Sequence, residues 1–387
     1  MKRFMAILLA AILCLDVVSI GVILFTDAET ISEQNLTETD ENEDIFTRAS
    51  VVAVGNNMVQ DDILTQAKAR SSTGGYDFSY VYEKVEDFIS NTDSAVITQE
   101  SVISSTHSVS GSTLMNSPTE LGDELADIGF DVVNVATNHA LDYGEEGLIN
   151  TLDYWESKNI ITIGAYKDKT QDEWITMQKC NGVKIAYVAF TDAANGNSLP
   201  EDSEAELSLS EYETWLSSLI SYANQKADAV IVIAHWGNEY ENEVTQAQKD
   251  LAAKLGEWGA TVVIGTHPHV LQPVEYIENS NGTKTLVAYS LGNFLSAQAK
   301  PEYMLGAALT FDIVKNTEQY SVTIENVAIK GIVTHYGQNM SKIRLYMLDD
   351  YTDELASKHG LKESYEDFSV KYLKNLLSET IDKQFLN

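Results

Sequence analysis

Short runs of branched aliphatic residues, separated by segments with helical signals, restrict this chain to an α/β or layered-sheet architecture. The runs fall at residues 51–54, 95–98, 132–136, 160–163, 185–190, 230–234, 262–264 and 286–289, and most are continuously apolar. A strand without polar alternation has no wet face, so these strands should be buried on both sides. Ser117-Pro118-Thr119-Glu120 reads as a capping box with proline at the first helical position, and Ser210 to Glu213 signals a second helix ahead of Trp215. Gly129 and Gly259 should close two helices just before the next strand. Asn281-Gly282 marks a tight hairpin between 274–276 and 286–289. Residues 364–386 read as an amphipathic helical segment that either packs on the domain or frays.

Chemistry gathers where the apolar runs stop, which is where ligands collect on such sheets. Run 132–136 leads into Thr137-Asn138-His139, run 230–234 into His235-Trp236-Gly237, and run 262–264, after Gly265, into Thr266-His267-Pro268-His269. Four of the seven histidines therefore stand at three strand ends. On an extended backbone His267 and His269 would share a face and meet one ion. Imidazole with amide and carboxylate oxygen suits zinc, manganese or iron in hydrolytic sites, where the metal lowers the pKa of water and polarises an ester.

Asn138 can supply a neutral oxygen ligand while the adjacent His139 protonates a leaving group; Asn138 can equally cap the helix starting near Gly144. Glu100, just past run 95–98, is a further oxygen candidate, although a lone glutamate there is often only solvated. Ser290 to Phe294 is either a ligand-orienting turn or a plain one. Trp236 and Tyr240 either line a groove or join the core. His107, His335 and His359 read as surface residues.

The two cysteines, Cys14 and Cys180, allow no disulfide framework and no cysteine-ligated zinc. Cys180 sits in Gln178-Lys179-Cys180-Asn181-Gly182, a strand running into a turn, and is a poor candidate nucleophile. Lys2 and Arg3 precede an apolar run at residues 4–25, interrupted by Asp16. At 1.5 Å per residue that run could cross a hydrocarbon core of roughly 30 Å. It reads as an uncleaved anchor with the basic flank inside and the rest of the chain outside the cell.

Residues 27–44 carry Glu29, Glu33, Glu38, Asp40, Glu41 and Glu43 with no lysine or arginine, the composition of a solvated tether. The expected organisation is an anchor at 1–26, an acidic linker at 27–49, a main domain at 50–345 and a helical segment at 346–387. With 58 acidic against 25 basic residues the formal charge is −33. Such a chain is repelled by phosphate backbones, so nucleic acid is excluded as a partner.

Across 51–296 the motifs Gly55-Asn56-Asn57-Met58, Gln99-Glu100, Asn138 to Gly144, His235-Trp236-Gly237, Gly265 to His269 and Ser290 to Phe294 resemble, in this order, the CapA family. The resemblance implies a metallophosphoesterase-like four-layer α-β-β-α sandwich of two mixed sheets flanked by helices. It also implies a role with poly-γ-glutamate or a related anionic surface polymer, or with the complex that makes it.

Three positions depart from the family pattern: Asn56 stands where aspartate is usual, Gln60 where a histidine occurs, and Thr98 where asparagine is expected. A neutral residue 56 removes charge that would offset two dications. The resemblance therefore implies one divalent ion (Mn, Zn or Fe) rather than two. Its ligands would come from Glu100, Asn138, His235, His267, His269 and Asn56, with His139 as general acid. A catalytically silent binding or assembly subunit is the alternative, argued from Asn56 and Thr98.

Overall fold

The computed structural model describes residues 45–168 and 175–386. Phe46–Asn57 (β1), Ser94–Gln99 (β2), Val132–Asn134 (β3) and Ile161–Ile163 (β4) lie parallel and side by side in that order. Thr176–Cys180 (β5), Val183–Thr191 (β6), Ala229–His235 (β7), Val262–Thr266 (β8), Val274–Glu278 (β9) and Lys284–Ala288 (β10) build a second sheet of six strands, ordered β9-β10-β8-β7-β6-β5. The chain then returns to the first sheet. Asn293–Leu295 (β11) joins β1 in parallel, and Leu305–Asn316 (β12), Ser321–His335 (β13) and Arg344–Met347 (β14) add an antiparallel ribbon, completing eight strands.

The strand period of two sorts the second sheet into two faces. Val188, Phe190, Val230, Val232 and Ala234 pack against Leu216 and Ile220 of Glu213–Lys226 and Leu255 of Gln246–Trp258. Ile185, Tyr187, Ile231 and Ile233 face the other way, into a large cluster shared with Ala53 and Leu309 of the first sheet. That cluster also takes in Leu64, Leu121 and Leu152 from the helices Asp61–Arg70, Thr119–Asp127 and Gly144–Ser157. Every residue of β2 and β7 is buried, as continuous apolar runs require. The result is a mixed α/β fold with two layered sheets and helices outside them.

Local signals held unevenly. Gly129 and Gly259 have φ of 102° and 114°, the left-handed backbone that ends a helix. β9 and β10 pair antiparallel around Asn281-Gly282. The helix Val370–Thr380 and the turn after it bury Leu373, Leu377 and Phe385 in the main cluster, so the C-terminal segment does pack on the domain.

The capping box at Ser117 does not form. Pro118, not Ser117, precedes the helix; the Ser117 hydroxyl lies 2.6 Å from Ser101 Oγ, and Glu120 accepts from Tyr76 N. Ser210 likewise is not a cap, because Tyr212 precedes Glu213–Lys226 and Ser210 N donates to Thr191 O. The reciprocal box is at Thr245 and Gln248 instead. β3 stops at Asn134, short of the expected 136, because Asn134 Oδ1 accepts from Ala136 N and turns the chain.

His335 and His359 are buried, not on the surface, at 7% and 2% exposure. His335 Nδ1 lies 2.8 Å from Tyr351 OH. His359 Nδ1 accepts from Leu361 N while its Nε2 donates to Thr334 O, which fixes a neutral ring. Burial holds both down to about 4. The apolar run at 4–25 lies outside the described residues; among those described, no helix is long and apolar enough to cross a membrane.

At Gly265, in β8, an added methyl carbon would stand 1.8 Å from Tyr289 O. Only glycine lets these backbones meet. Gly265→Ala is expected to cost about 3 kcal/mol, the upper end for overpacking, read as a lower midpoint of urea unfolding.

Candidate metal centre

The C-terminal ends of β1, β2 and the turn after β3 meet those of β7 and β8, through Asn56 with His267, Glu100 with His235 and His269, and Asn138 with His235. Glu100 follows β2 directly and is fully buried. Neither of its carboxylate oxygens has a hydrogen-bond partner among the described residues. One oxygen lies 3.9 Å from His235 Nε2 and the other 3.9 Å from His269 Nε2. Burial pushes its acid up to about 8 against the nearby His139, which pulls the other way. An unpaired acid at this depth is costly, and the arrangement fits a cation between carboxylate and imidazoles.

The imidazoles are held neutral and aimed. His235 Nε2 lies 3.0 Å from Asn138 Oδ1 and its Nδ1 3.0 Å from Thr266 Oγ1. The Thr266 hydroxyl can donate or accept, so it orients the ring whether Nε2 carries a proton or a metal. Burial, then the fields of His267, His269 and His139, hold His235 well below its ordinary value. Burial also lowers His267, opposed by Glu239 and Asp192, and takes His269 down to about 3 against the hydrogen bond it donates to Asn293. The His235 and His267 rings lie 4.7 Å apart and those of His267 and His269 6.1 Å. His267 Nδ1 is buried without a hydrogen-bond partner among the described residues.

These histidines do not reach the centre as an extended pair. β8 ends at Thr266, and His267 and His269 have φ of 95° and 61°. Left-handed backbone at two side-chain-bearing residues is a strain that packing must hold in place. An added methyl carbon at Gly55 would lie 2.0 Å from Gly292 O, so β1 approaches the Ser290 to Phe294 turn closely. Asn293 Oδ1 then lies 2.9 Å from His269 Nδ1, and its amide donates to His269 O. The Ser290 to Phe294 turn therefore orients a candidate ligand.

Asn56 is buried at the same place but presents mixed chemistry. Its Oδ1 accepts from His267 N at 3.1 Å, and its Nδ2 lies 3.1 Å from His269 Nδ1. That ring nitrogen cannot donate to Asn293 and accept from Asn56 at once. A carboxylate at position 56 would accept from both neighbours. Gln60 turns its carbonyl oxygen toward Ser296 Oγ and Ala297 N, and Thr98 Oγ1 accepts from Asn134 Nδ2.

His139 stands apart from the imidazole trio. Its Nδ1 lies 2.8 Å from Asp142 Oδ2, and Asp142 also accepts from Met115 N. Burial disfavours its charge, but the Asp142 bond and the fields of Glu100 and Asp142 prevail and raise its pKa. Asn138 is not a helix cap: Tyr143 precedes Gly144–Ser157, and the Asn138 amide donates to Asn195 Oδ1. Trp236 is core, bonded to Tyr289 O, whereas Tyr240 is 43% exposed and stacks on His269 at 5.5 Å.

Two acids were missed from sequence. Asp142 shares a motif with His139 at a spacing of three, which was the available signal. Glu239 lies with His267 and His269 so that one ligand atom from each is within 4.8 Å of the others; nothing in the sequence points to it beyond its place near His235.

The family model described as bacterial capsule synthesis protein PGA_cap matches residues 50–298. The PGA biosynthesis protein CapA of Bacillus subtilis (strain 168) is 36% identical over 201 residues, covering 51% of this chain and 51% of that protein. The capsule biosynthesis protein CapA of Bacillus anthracis is 29% identical over 246 residues, covering 61% and 58%. The chain thus spans only a little over half the length of the curated relatives it matches.

Among solved structures, the NAD nucleotidase (NadN) of Haemophilus influenzae aligns with a TM-score of 0.47 and 14% identity, over 87% of this chain and 60% of that one. A putative 5'-nucleotidase from Staphylococcus aureus in complex with alpha-ketoglutarate aligns with a TM-score of 0.43 and 14% identity, over 73% and 54%. Those likenesses are too distant to bear on chemistry. The family match, which takes in every one of the strand-end motifs above, is decisive: this chain belongs to the bacterial capsule synthesis protein PGA_cap family, the CapA family.

Proposed function

We propose that this chain is a membrane-anchored, extracellular CapA-like protein acting in synthesis, export or processing of poly-γ-glutamate or a related capsule polymer. On this reading it is a metal-dependent hydrolase of phosphoester or γ-glutamyl linkages, on a metallophosphoesterase-like four-layer scaffold. The anchor is the apolar run at 4–25 behind Lys2 and Arg3. The family and the names of the two Bacillus relatives support the choice of polymer.

The observation that carries the hydrolase reading is Glu100, a buried carboxylate with both oxygens unpartnered and aimed at His235 and His269. Glu100, Asn138 and His235 would hold a divalent ion, with the His267–His269 turn beside them. Bound there, such an ion supplies Lewis-acid activation of water and of an ester or amide. Thr266 and Asn293 keep His235 and His269 oriented through their second ring nitrogens. His139, braced at Nδ1 by Asp142, leaves Nε2 to deliver a proton to a leaving group. Tyr240, exposed beside His269, offers a flat face to substrate.

The catalytically silent subunit keeps one specific support, the amide of Asn56 where its surroundings call for a carboxylate. Metal analysis of the purified full chain, with assays on bis-p-nitrophenyl phosphate and poly-γ-glutamate in added manganese or zinc, separates the readings. Bound metal with turnover is the expected result. Absence of both metal and turnover, with polymer binding retained, supports the silent subunit instead.

A further inference from the structure

The expectation of a single ion rests on residue 56 being neutral, yet the centre has a carboxylate from elsewhere. Glu239 lies on the turn that follows β7, between Gly237 and Tyr240, and that turn is pinned on both sides. Gly237 N donates to Asp192 Oδ2 at 3.0 Å. Tyr240, with a left-handed φ of 67°, donates its N–H to Pro268 O at 2.7 Å and lays its ring on His269. The bonded residue, Pro268, lies between the two histidines of the neighbouring turn, so the two turns hold each other in register. Glu239 is thereby carried over His267 and His269, with one donor atom of each of the three within 4.8 Å of the others. Its charge reaches Glu100, His139 and His267.

Two further features point to a ligand at this place. His267 Nδ1 is buried with no hydrogen-bond partner, and Glu100 turns its second oxygen away from His235, toward His269. Glu100 Oε1 faces His235 Nε2, which meets Asn138 Oδ1, while Glu100 Oε2 faces His269 Nε2, a member of the Glu239, His267 and His269 group. Carboxylate and imidazole together suit manganese or zinc.

We propose that Glu239, with His267 and His269, forms a second divalent-cation position beside the one at Glu100, Asn138 and His235, and supplies the negative charge that Asn56 lacks. The proposal rests on the reading of this region as a metal centre. Glu239 is exposed, so an isosteric change there spares the core. Its neighbour Glu241, which accepts from Asn238 on the same turn, serves as control.

Calorimetric titration of the purified, metal-depleted full chain with manganese and with zinc is the test, backed by elemental analysis after desalting. The parent and Glu241→Gln are expected to bind two ions per chain. Glu239→Gln should bind one with the parent's tighter constant, its second constant weakened at least tenfold. Asn56→Asp combined with Glu239→Gln should recover the second ion, since a carboxylate returns beside His267 and His269. A parent that binds only one ion, or a Glu239→Gln protein indistinguishable from the parent at two, overturns the second position. A parent that binds no ion at all overturns the metal centre of the preceding section as well, so the two failures are told apart.

Discussion

Metal-depleted Glu100→Gln protein is expected to unfold at a higher temperature than the metal-depleted parent at pH 9, and at nearly the same temperature at pH 4. The folded acid is held up to about 8 by burial, against an ordinary value of 4.5. Below 4.5 it is protonated in both folded and unfolded chains and costs nothing extra. As pH rises from 4.5 to 8, the unfolded chain releases a proton that the folded chain retains, so the parent loses stability across that window. At 1.36 kcal/mol per unit the full loss is about 5 kcal/mol above pH 8. A glutamine has no such charge to bury.

Saturating manganese or zinc should reverse the order, because the ion stabilises the folded parent by mass action and the glutamine variant has lost the anionic ligand. Thermal melts at several pH values, with and without metal, read both effects. A parent whose metal-free melting temperature tracks that of Glu100→Gln from pH 4 to pH 9 would contradict the buried, unpaired acid.

His139→Ala should lower turnover of bis-p-nitrophenyl phosphate by about 10³-fold, within the range for loss of a general acid, while leaving metal content unchanged. The histidine is held by Asp142 and lies outside the His235, His267 and His269 set. A general acid must be protonated to work, so activity should fall as pH rises through its pKa. That pKa is raised because Asp142 and Glu100 outweigh burial. Asp142→Asn removes one of those supports and should move the basic limb of the pH-rate profile downward. An unmoved limb in Asp142→Asn, with rate lost through lower metal content, would reassign His139 to structure.

What could be read in advance follows from which residues carry local information. Runs such as 230–234 and 95–98 are apolar on both faces, and each is a buried strand. The ribbon of β12 and β13 was not legible, because β13 begins with half-exposed alternation from Ser321 to Glu325 and has no continuous apolar signature there. Ser117 failed as a cap since its hydroxyl finds Ser101, a partner set by the tertiary fold.

Around the centre, the strand-end histidines were visible because strands terminate where they do. Glu239 and Asp142 were not, since a surface-type glutamate and a turn aspartate gain their meaning from neighbours. His267 and His269 reach one centre through left-handed turns rather than an extended pleat, a route that spacing alone cannot disclose. His335 and His359 were misplaced because their burial depends on the docked C-terminal segment.

The donors of the centre are split by layer: Glu100 and Asn138 come from the eight-stranded sheet, and His235, His267 and His269 from the six-stranded one. An ion held there would fasten one slab of the molecule to the other, like a rivet through two plates. Chelation would then loosen more than a local pocket, letting the slabs slip against each other and exposing β7 and β8 to hydrogen exchange along their full length.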